Sequence, residues 1–317
     1  MDKLEYYERT VLRTHLSNKN IDHDLRRLIS NLSKSAQYIA FEIKKSLRGD
    51  TENQNTYGEI QLKLDVLADT IIKKRLSLET SFGVKDFASE EQENIINIHP
   101  DKEEMSKKYS IAVDPLDGSS LIKSNLTIGT IFGIYSGSII SGKPGRDNLV
   151  AAMYVMYGPE TTLVYSAGKG VHEFIFDPAG NWTLKSENII IPEKGKLFAP
   201  GGLRKDWTDE HKKFINDLEE QGYKIRYSGA FVSDFNAMLK NGGIFTYPAL
   251  INKPQGKLRL LMELQPLAFI VEQAGGMATN GLENILDIIP KKLDQRSPIY
   301  IGSKHEVQLA KKYINGE

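Results

Sequence analysis

The stretch Asp114-Pro115-Leu116-Asp117-Gly118-Ser119-Ser120 follows directly on the apolar run Ile111-Ala112-Val113. This order predicts a short buried strand that delivers two carboxylates into a tight turn. The proline fixes one backbone torsion of that turn, and the glycine permits a positive one. Carboxylates for a hard divalent cation then lie beside backbone N–H groups for an anion. The combination is typical of metal-assisted hydrolysis of a phosphate ester, although the same residue types also serve plain turns.

Composition limits the classes of protein to which the chain can belong. Its 317 residues predict about two domains, and its 41 basic and 41 acidic residues leave no net charge. We therefore expect no nucleic-acid partner. The absence of cysteine excludes disulfides, thiol catalysis and zinc held by thiolates. Residues 1–5 lack a signal-peptide pattern, and no apolar run approaches the roughly 18 residues of a membrane helix, so we expect a cytoplasmic protein with no membrane partner.

Apolar residues at helical spacing predict two helices in the first part of the chain. The first helix carries Leu25, Leu28, Ile29, Leu32, Ile39, Ile43 and Leu47, and the second carries Ile60, Leu64, Leu67 and Ile71. Between them lies a polar, glycine-bounded stretch, 48–58, which has no periodicity and predicts a mobile loop. Such a loop is either an active-site lid or a passive connector, and composition leaves both open.

Two pairs of acidic residues precede the opening stretch. Asp65 and Asp69 share one face of the second helix, which usually indicates a solvated face. Asp65 is flanked by apolar residues, and we keep it as a candidate for the site. Glu90 and Glu91 are adjacent, which usually indicates only surface, but they fall within reach of the turn at Asp114 through one crossover connection.

Strand patterns dominate the middle of the chain and predict an antiparallel meander. The predicted strands are 128–135, 149–157, 161–165, 171–176 and 188–191. The segment 137–143 has the spacing of a phosphate-binding P-loop, but Pro144 stands where Ser or Thr is needed. We expect residues 145–147 not to open a helix, and we interpret the segment as a surface hairpin turn.

Residues after 190 alternate between helix and strand, which predicts an α/β layered domain. The predicted helices are 209–221, 232–240 and an apolar one centred on 260–271, and the strands are 223–227, 243–247 and two around 277 and 299. We therefore predict two domains, 1–190 and 191–317. Arg259 and Glu263 stand one turn apart, which fits either a simple ion pair or a site for phosphate and metal.

Five segments in chain order carry a resemblance to one enzyme family. They are Asp114-Pro-Leu-Asp-Gly-Ser-Ser120, Ile128-Gly-Thr-Ile-Phe-Gly-Ile-Tyr135, Gly242-Gly-Ile-Phe-Thr-Tyr247, Gly256-Lys-Leu-Arg-Leu-Leu261 and Ala274-Gly-Gly-Met-Ala-Thr279. Together they resemble class I fructose-1,6-bisphosphatase, and the first also marks the wider lithium-sensitive sugar-phosphate and inositol phosphatase superfamily. The resemblance implies the sugar phosphatase fold, a layered α-β-α-β-α sandwich of two domains, and hydrolysis of the 1-phosphate of fructose 1,6-bisphosphate.

The resemblance also implies a set of acidic residues for metal and water. Divalent cations, magnesium or alternatively manganese, are expected on Glu90, Asp114, the Leu116 carbonyl, Asp117 and Glu263. The acidic group that positions and deprotonates the water is expected to comprise Glu91, Asp65 and Glu59. Glu59 replaces the aspartate of the family's dynamic loop, which the resemblance places at 48–63.

Substrate contacts are implied in the same way. The 1-phosphate is expected on Gly118, Ser119, Ser120 and Arg259, chiefly through backbone N–H groups of the turn. The sugar and its 6-phosphate are expected on Tyr227, Tyr247 and Lys257. Arg226 is expected to reach the 6-phosphate site of a neighbouring subunit, which implies a homo-oligomer, typically a tetramer.

The chain departs from the family pattern at two places. Pro200 and Leu203 stand where the family has an asparagine and a tyrosine at the 6-phosphate, so two hydrogen-bond donors are missing. At the AMP site of the animal enzymes, the segment Asp22-His-Asp-Leu-Arg26 replaces Thr-Gly-Glu-Leu-Thr, and a family arginine is absent near Ser136. Because added aspartates repel a phosphate, we predict weak or absent inhibition by AMP.

The sequence is compatible with three functional interpretations. The first is fructose-1,6-bisphosphatase. The second is a related phosphatase that also accepts sedoheptulose bisphosphate, or one for an inositol-type monophosphate; Pro200 and Leu203 leave the sedoheptulose option open. The third is a non-catalytic metabolite sensor, against which the intact set of carboxylates argues.

Overall fold

The computed structural model describes residues 10–46, 57–79, 83–99 and 107–316. The α-helices of this part of the chain are α1 (Leu12–Asn18), α2 (His23–Ser46), α3 (Tyr57–Ser77), α4 (Gly145–Asn148), α5 (Asp209–Glu220), α6 (Phe231–Asn241), α7 (Gln265–Gln273) and α8 (Lys304–Ile314). No helix among these residues is both long and apolar enough to cross a membrane.

The first sheet has seven strands in chain order and builds the N-terminal half. They are β1 (Val84–Ser89), β2 (Tyr109–Asp117), β3 (Ile128–Ser136), β4 (Leu149–Tyr157), β5 (Thr161–Ser166), β6 (His172–Phe176) and β7 (Trp182–Ser186). β1 runs parallel to β2, and every later neighbour pair is antiparallel. The predicted meander is confirmed.

The second sheet has five strands in the order β11-β12-β10-β8-β9. Its members are β8 (Leu197–Pro200), β9 (Lys224–Ile225), β10 (Ile244–Tyr247), β11 (Met277–Thr279) and β12 (Ile299–Gly302). β10 pairs parallel with β8 and antiparallel with β12, so the sheet is mixed.

Successive side chains of a strand point to opposite faces of the sheet, so the apolar core is divided into three layers. On β2, Ile111 and Val113 face α1, α2 and α3, while Ala112 faces α6 and α7. On β10, Phe245 faces α6 and α7, and Ile244 faces α5 and α8 on the outer side. Helices therefore cover both faces of both sheets, and the predicted layered α-β-α-β-α sandwich is confirmed.

Several local predictions are wrong, and each has a physical reason. The last strand of the meander is β7 rather than 188–191, because Asn188 takes a positive φ of 53° that interrupts an extended strand. Residues 145–148 do form one helical turn, which begins after Pro144 at its N-cap. β9 spans only Lys224–Ile225, so Arg226 and Tyr227 lie beyond its end.

The apolar helix predicted at 260–271 is divided into two kinds of turn. Leu260–Leu264 form a π-helical turn, in which the Leu264 N–H donates to the Arg259 carbonyl at 3.1 Å, and α7 continues from it. The predicted loop 48–63 is only partly tested. Residues 47–56 lie outside the described residues, whereas residues 57–63 belong to α3, so that part of the loop prediction is wrong.

Candidate active site

The parallel pair β1 and β2 brings the first acidic residues to one edge of the sheet. Ser89, the last residue of β1, is the register partner of Val113, and β2 continues to Asp117. The backbone N–H of Glu90 donates to the Val113 carbonyl at 3.0 Å, so Glu90 lies beside Asp114. The parallel pairing of β1 with β2 therefore brings Glu90 to the stretch at Asp114, and parallel neighbours require a crossover connection of the kind expected from the sequence.

β2 runs through the predicted turn to Asp117, and its register with β3 shifts between Asp114 and Asp117, so the chain turns only at Gly118. This end of the strand is fixed by its own carboxylate and by close packing. Asp114 Oδ1 accepts the Leu116 N–H at 3.0 Å, and Thr130 Oγ1 donates to the Pro115 carbonyl at 2.8 Å. Gly118 has the predicted positive φ, 78°, and a Cβ there would lie 2.5 Å from the Ala230 Cβ. Only glycine satisfies both the torsion and the space.

Asp117 connects the turn to the second half of the molecule. Its carboxylate accepts the backbone N–H of Phe231 at 3.3 Å and of Val232 at 2.7 Å. These are the first amides of α6, which have no partner within the helix. Asp117 therefore stabilises the helix N-terminus while it faces the same cavity as Asp114.

Glu263 enters from the π-helical turn. Its carboxylate accepts the backbone N–H of Arg259, and the guanidinium of Arg259 forms an ion pair with Glu90. The simple Arg259–Glu263 side-chain pair considered from spacing is therefore not what the structure contains. Arg259 instead joins the second half of the chain to the end of β1.

Three carboxylates meet at the centre of the site. Asp114, Asp117 and Glu263 are 3%, 8% and 5% exposed, and one oxygen of each lies within 4.8 Å of the others. Burial raises the pKa of Asp117 to about 6 and that of Glu263 to about 7. Burial and then the charges of Asp117 and Glu263 raise the pKa of Asp114 well above its usual value.

This donor set fits a hard divalent cation. Crowded buried carboxylates repel one another, and in the described part of the chain none of the three forms an ion pair. Carboxylate oxygens are the ligands that magnesium and calcium prefer, and a cation would relieve both the repulsion and the desolvation. Sulfur and imidazole ligands, which favour softer metals, are absent from the residues known to line this cavity.

The carboxylates open into a cavity of about 260 Å³ that collects most of the predicted residues. Its lining includes Asp65, Glu90, Glu91, Asp114, Leu116, Asp117, Gly118, Ser119, Ser120, Tyr227, Tyr247, Lys257 and Glu263. Arg259 is not among the residues known to line the cavity, but it forms an ion pair with Glu90, which does line it. Arg226 is exposed and lies outside the lining, where its Nη1 donates to the Ile225 carbonyl at 3.1 Å. The side chain of Glu59 lies outside the described residues.

Asp65 and Glu91 form a second acidic group beside the first. Burial, followed by the charge of Glu91, raises the pKa of Asp65 to about 7, and a hydrogen bond from Ser119 opposes this rise. Burial and then the charge of Asp69 raise the pKa of Glu91. Asp69 is not on a solvated face, since it is 1% exposed and accepts hydrogen bonds from Gln92 and Lys73 at 2.8 Å each.

Aromatic and basic residues form another part of the cavity lining. The Lys257 ammonium lies 5.7 Å from the centre of the Tyr247 ring, and Tyr227 is 46% exposed toward solvent. Neither Pro200 nor Leu203 is among the residues known to line the cavity, and Leu203 is 60% exposed.

Arg296 also lines the cavity and was missed by sequence reasoning. Its Nη1 donates to the Lys257 carbonyl, and its backbone pairs with Arg259 as an isolated antiparallel bridge. Arg296 therefore supports the short segment that carries Lys257 and Arg259. No motif or periodicity marks position 296, and only the pairing of two distant extended segments reveals it.

Comparison with known proteins agrees with this geometry. Residues 7–187 match the family model described as "Fructose-1-6-bisphosphatase, N-terminal domain", and residues 191–315 match the one described as its C-terminal domain. The chain belongs to the fructose-1,6-bisphosphatase family. The family resemblance expected from the five sequence segments is thereby confirmed.

Relatives within the fructose-1,6-bisphosphatase family match over nearly the whole chain. A class 1 fructose-1,6-bisphosphatase of Pelobacter propionicus is 48% identical over 305 residues, covering 96% of this chain and 92% of its own length. The corresponding protein of Methanocorpusculum labreanum is 44% identical, covering 93% and 88%. A crystal structure of Leishmania major fructose-1,6-bisphosphatase in holo form superimposes with a TM-score of 0.86 at 33% identity, covering 96% and 99%.

Proposed function

We propose that this chain hydrolyses the 1-phosphate of fructose 1,6-bisphosphate to give fructose 6-phosphate and phosphate. The observation that carries the proposal is a single cavity whose lining combines three buried carboxylates with Lys257, whose ammonium lies over the Tyr247 ring. The activity named for the Pelobacter, Methanocorpusculum and Leishmania relatives supports it. The reaction belongs to sugar-phosphate metabolism, where gluconeogenesis requires it.

Asp114, Asp117 and Glu263, with Glu90 and the Leu116 carbonyl, are the residues proposed to hold divalent cations. Magnesium is the preferred candidate and manganese the alternative, because every donor is an oxygen. When bound, such a cation neutralises charge on the transferring phosphoryl group and lowers the pKa of water. The raised carboxylate pKa values are consistent with this assignment, since burial and then the charges of neighbouring carboxylates disfavour ionisation of Asp114, and a cation would offset both.

Asp65 and Glu91 are proposed to orient the attacking water and take its proton. A general base works best when its pKa lies near the operating pH, and the pKa of Asp65 is raised to about 7. The Ser119 hydroxyl holds this carboxylate beside the turn. Glu59 remains a proposed third member on the strength of the family resemblance alone.

The phosphate and sugar contacts are proposed as follows. Backbone N–H groups of Gly118, Ser119 and Ser120 face the 1-phosphate after the turn, and Arg259, paired with Glu90, adds a cation. Tyr227, Tyr247 and Lys257 bind the sugar and its 6-phosphate, because they supply the aromatic and basic part of the lining. Neither serine needs to act as a nucleophile.

Three broader statements also remain proposals. The exposed Arg226 is proposed to complete the 6-phosphate site of a neighbouring subunit in a homotetramer. The boundary between domains 1–190 and 191–317 is supported by the gap between β7 and β8, where one sheet ends and the other begins. A cytoplasmic location is the third.

A second substrate is kept because of one specific observation. Pro200 ends β8 and Leu203 is largely exposed, so neither provides the hydrogen-bond donor expected at the 6-phosphate. The missing donors keep open a dual enzyme that also hydrolyses sedoheptulose 1,7-bisphosphate. An inositol-type monophosphatase is disfavoured, because the basic wall formed by Lys257 and Arg296 suits a second phosphate.

Phosphate release from a panel of substrates tests the proposal. The panel comprises fructose 1,6-bisphosphate, sedoheptulose 1,7-bisphosphate, fructose 1-phosphate and inositol 1-phosphate, each with magnesium, with manganese and with EDTA. We expect the highest kcat/KM on fructose 1,6-bisphosphate and none in EDTA. Equal rates on the monophosphates would contradict a bisphosphatase, and the absence of turnover on every substrate would support the metabolite sensor instead.

A further inference from the structure

A second group of metal-ligand side chains lies outside the active-site cavity. His15 of α1, His172 at the start of β6 and Glu187 just after β7 each offer a ligand atom, and these atoms lie within 4.8 Å of one another. None of the three lines the active-site cavity. The cluster joins three segments that are distant in sequence, so it forms only when α1 is docked on the sheet.

Two polar atoms in this cluster are buried without a hydrogen-bond partner in the described part of the chain. His15 Nε2 is one, and the hydroxyl of the neighbouring Tyr165 is the other. The two rings meet edge to face at 5.9 Å, and His15 is only 3% exposed. Buried polar atoms almost always have a hydrogen-bond partner or a ligand. Two neighbouring buried atoms without a partner therefore indicate a bound group that would contact them.

His172 is held in place through both ring nitrogens. Nε2 lies 3.2 Å from the Lys169 carbonyl, and Nδ1 accepts the Asn188 N–H in a long hydrogen bond of 3.4 Å. Histidine ligands characteristically donate one N–H to a carbonyl while the other nitrogen binds the metal, so a metal would replace the long hydrogen bond from Asn188.

Charge in the cluster also suits a cation. Burial first, and then the charge of His172, lowers the pKa of His15 to about 4, so the imidazole is neutral near pH 7. The carboxylate of Glu187 lies 4.0 Å from His15 Nε2 and is already bound by the ammonium of Lys19 at 2.5 Å. Lys19 thus occupies the place of a cation that a metal would compete for.

We propose that His15, His172 and Glu187 form a site for a divalent transition-metal ion of the zinc class, which fastens α1 to β6 and the end of β7. Two imidazoles and one carboxylate are a ligand set for zinc, cobalt and nickel, whereas magnesium prefers oxygen alone. The site therefore differs in chemistry from the all-oxygen centre at Asp114, Asp117 and Glu263. Metal held there stabilises the docked position of α1.

Zinc binding to the metal-stripped full-length protein tests the proposal. Equilibrium dialysis against Zn²⁺ is expected to give one more bound ion for the wild type than for Glu187→Gln or His15→Gln. Cobalt is expected to give the visible absorption of a low-coordinate nitrogen and oxygen site in the wild type and to lose it in these variants. His99→Gln, at an equally buried histidine elsewhere, is expected to behave as the wild type.

The Lys19→Met variant separates a metal site from a plain ion pair. With the competing ammonium removed, the affinity for zinc is expected to rise several-fold, whereas an ion-pair cluster gains nothing. Should His15→Gln fail to fold by circular dichroism, Glu187→Gln keeps the test decisive, because Glu187 is exposed. Equal zinc stoichiometry in the wild type and Glu187→Gln, or unchanged affinity in Lys19→Met, would overturn the proposal.

Discussion

The carboxylates of two acidic regions of the molecule lie in opposite electrostatic environments. At the cavity, Asp114, Asp117 and Glu263 are buried, and no ion pair to them is found among the described residues. At the start of α2, Asp22 and Asp24 each lie 3.4 Å from the ammonium of Lys108. The carboxylates of the first region are buried with cations only at longer range, whereas those of the second form ion pairs with a lysine of the same chain.

The pKa shifts show what this difference costs. Burial raises the pKa values of the cavity carboxylates, which means that their charged forms are destabilised in the metal-free protein. Asp22 is shifted the other way, because hydrogen bonds from Leu25 and Tyr109 outweigh its slight burial and lower its pKa. The first region suits the cation proposed above, and the second is already paired with Lys108.

Removing one carboxylate from the cavity should have the largest effect. Asp117→Ala is expected to lower kcat by about 1000-fold or more, because it deletes a proposed cation ligand at the centre of the site. The loss of its hydrogen bonds to α6 should cost only about 1 kcal/mol of stability. Turnover of fructose 1,6-bisphosphate and the unfolding midpoint measure the two effects. Asp24→Ala is the matched control, and near-normal turnover in Asp117→Ala would sink the assignment.

The substrate wall should give the next largest effect. Lys257→Met is expected to raise KM for fructose 1,6-bisphosphate about 10- to 100-fold, since a desolvated charge-assisted contact contributes roughly 1.5–3 kcal/mol. Arg296→Met should have a smaller effect in the same direction, because Arg296 acts partly by supporting the Lys257 carbonyl. Steady-state kinetics distinguish them. A KM unchanged by Lys257→Met would remove this wall from the substrate site.

A stability measurement addresses the unpaired charge directly. The pKa of Glu263 is raised from 4.5 to about 7, so its ionised form destabilises the metal-free fold at higher pH. Glu263→Gln is therefore expected to gain on the wild type as pH rises from about 4.5 to 7, reaching about 3 kcal/mol in free energy of unfolding. Urea unfolding in EDTA at several pH values measures this. A difference independent of pH would contradict the account, and saturating magnesium should reverse it.

The smallest effect is expected at the neutralised region. The wild type should show no inhibition by micromolar AMP, because Asp22 and Asp24 hold Lys108 and repel a phosphate. Asp22→Asn combined with Asp24→Asn frees the ammonium and should increase AMP affinity by no more than about tenfold, the equivalent of roughly 1.4 kcal/mol. Competition of AMP with a fluorescent nucleotide reports this change. Strong AMP inhibition of the unmodified protein would show that the region is still an effector site.

Local sequence was sufficient to predict a segment wherever that segment carries its own structural signal. Proline and glycine indicated the turn after Asp114, and apolar residues at helical spacing indicated α2 and α3, which cover one face of the sheet. The layered fold followed from these patterns and from the family resemblance. Most residues of the cavity could be named because they lie in the same short segments.

The remainder depends on contacts between distant segments. β1 is buried beside β2, but its short sequence Val-Lys-Asp-Phe-Ala-Ser has no clear alternation. Asp69 is buried because Gln92 and Lys73 reach it, and Arg296 matters because it pairs with Arg259. The π-helical turn that aims Glu263 depends on one shifted hydrogen bond, which apolar periodicity does not reveal.

The hydrogen bonds of Asp117 have a consequence for how the two sheets communicate. One carboxylate is shared between the cavity and the first amides of α6, which packs against the second sheet. A cation bound by Asp117 would change the hydrogen bonds that this carboxylate accepts from α6. A displacement of α6 would in turn change the negative charge that Asp117 offers to the cation. By thermodynamic reciprocity, the affinity for the cation and the position of α6 would be coupled, so that each influences the other by the same free energy. An effector that moves α6 can therefore tune the reaction without touching the cavity.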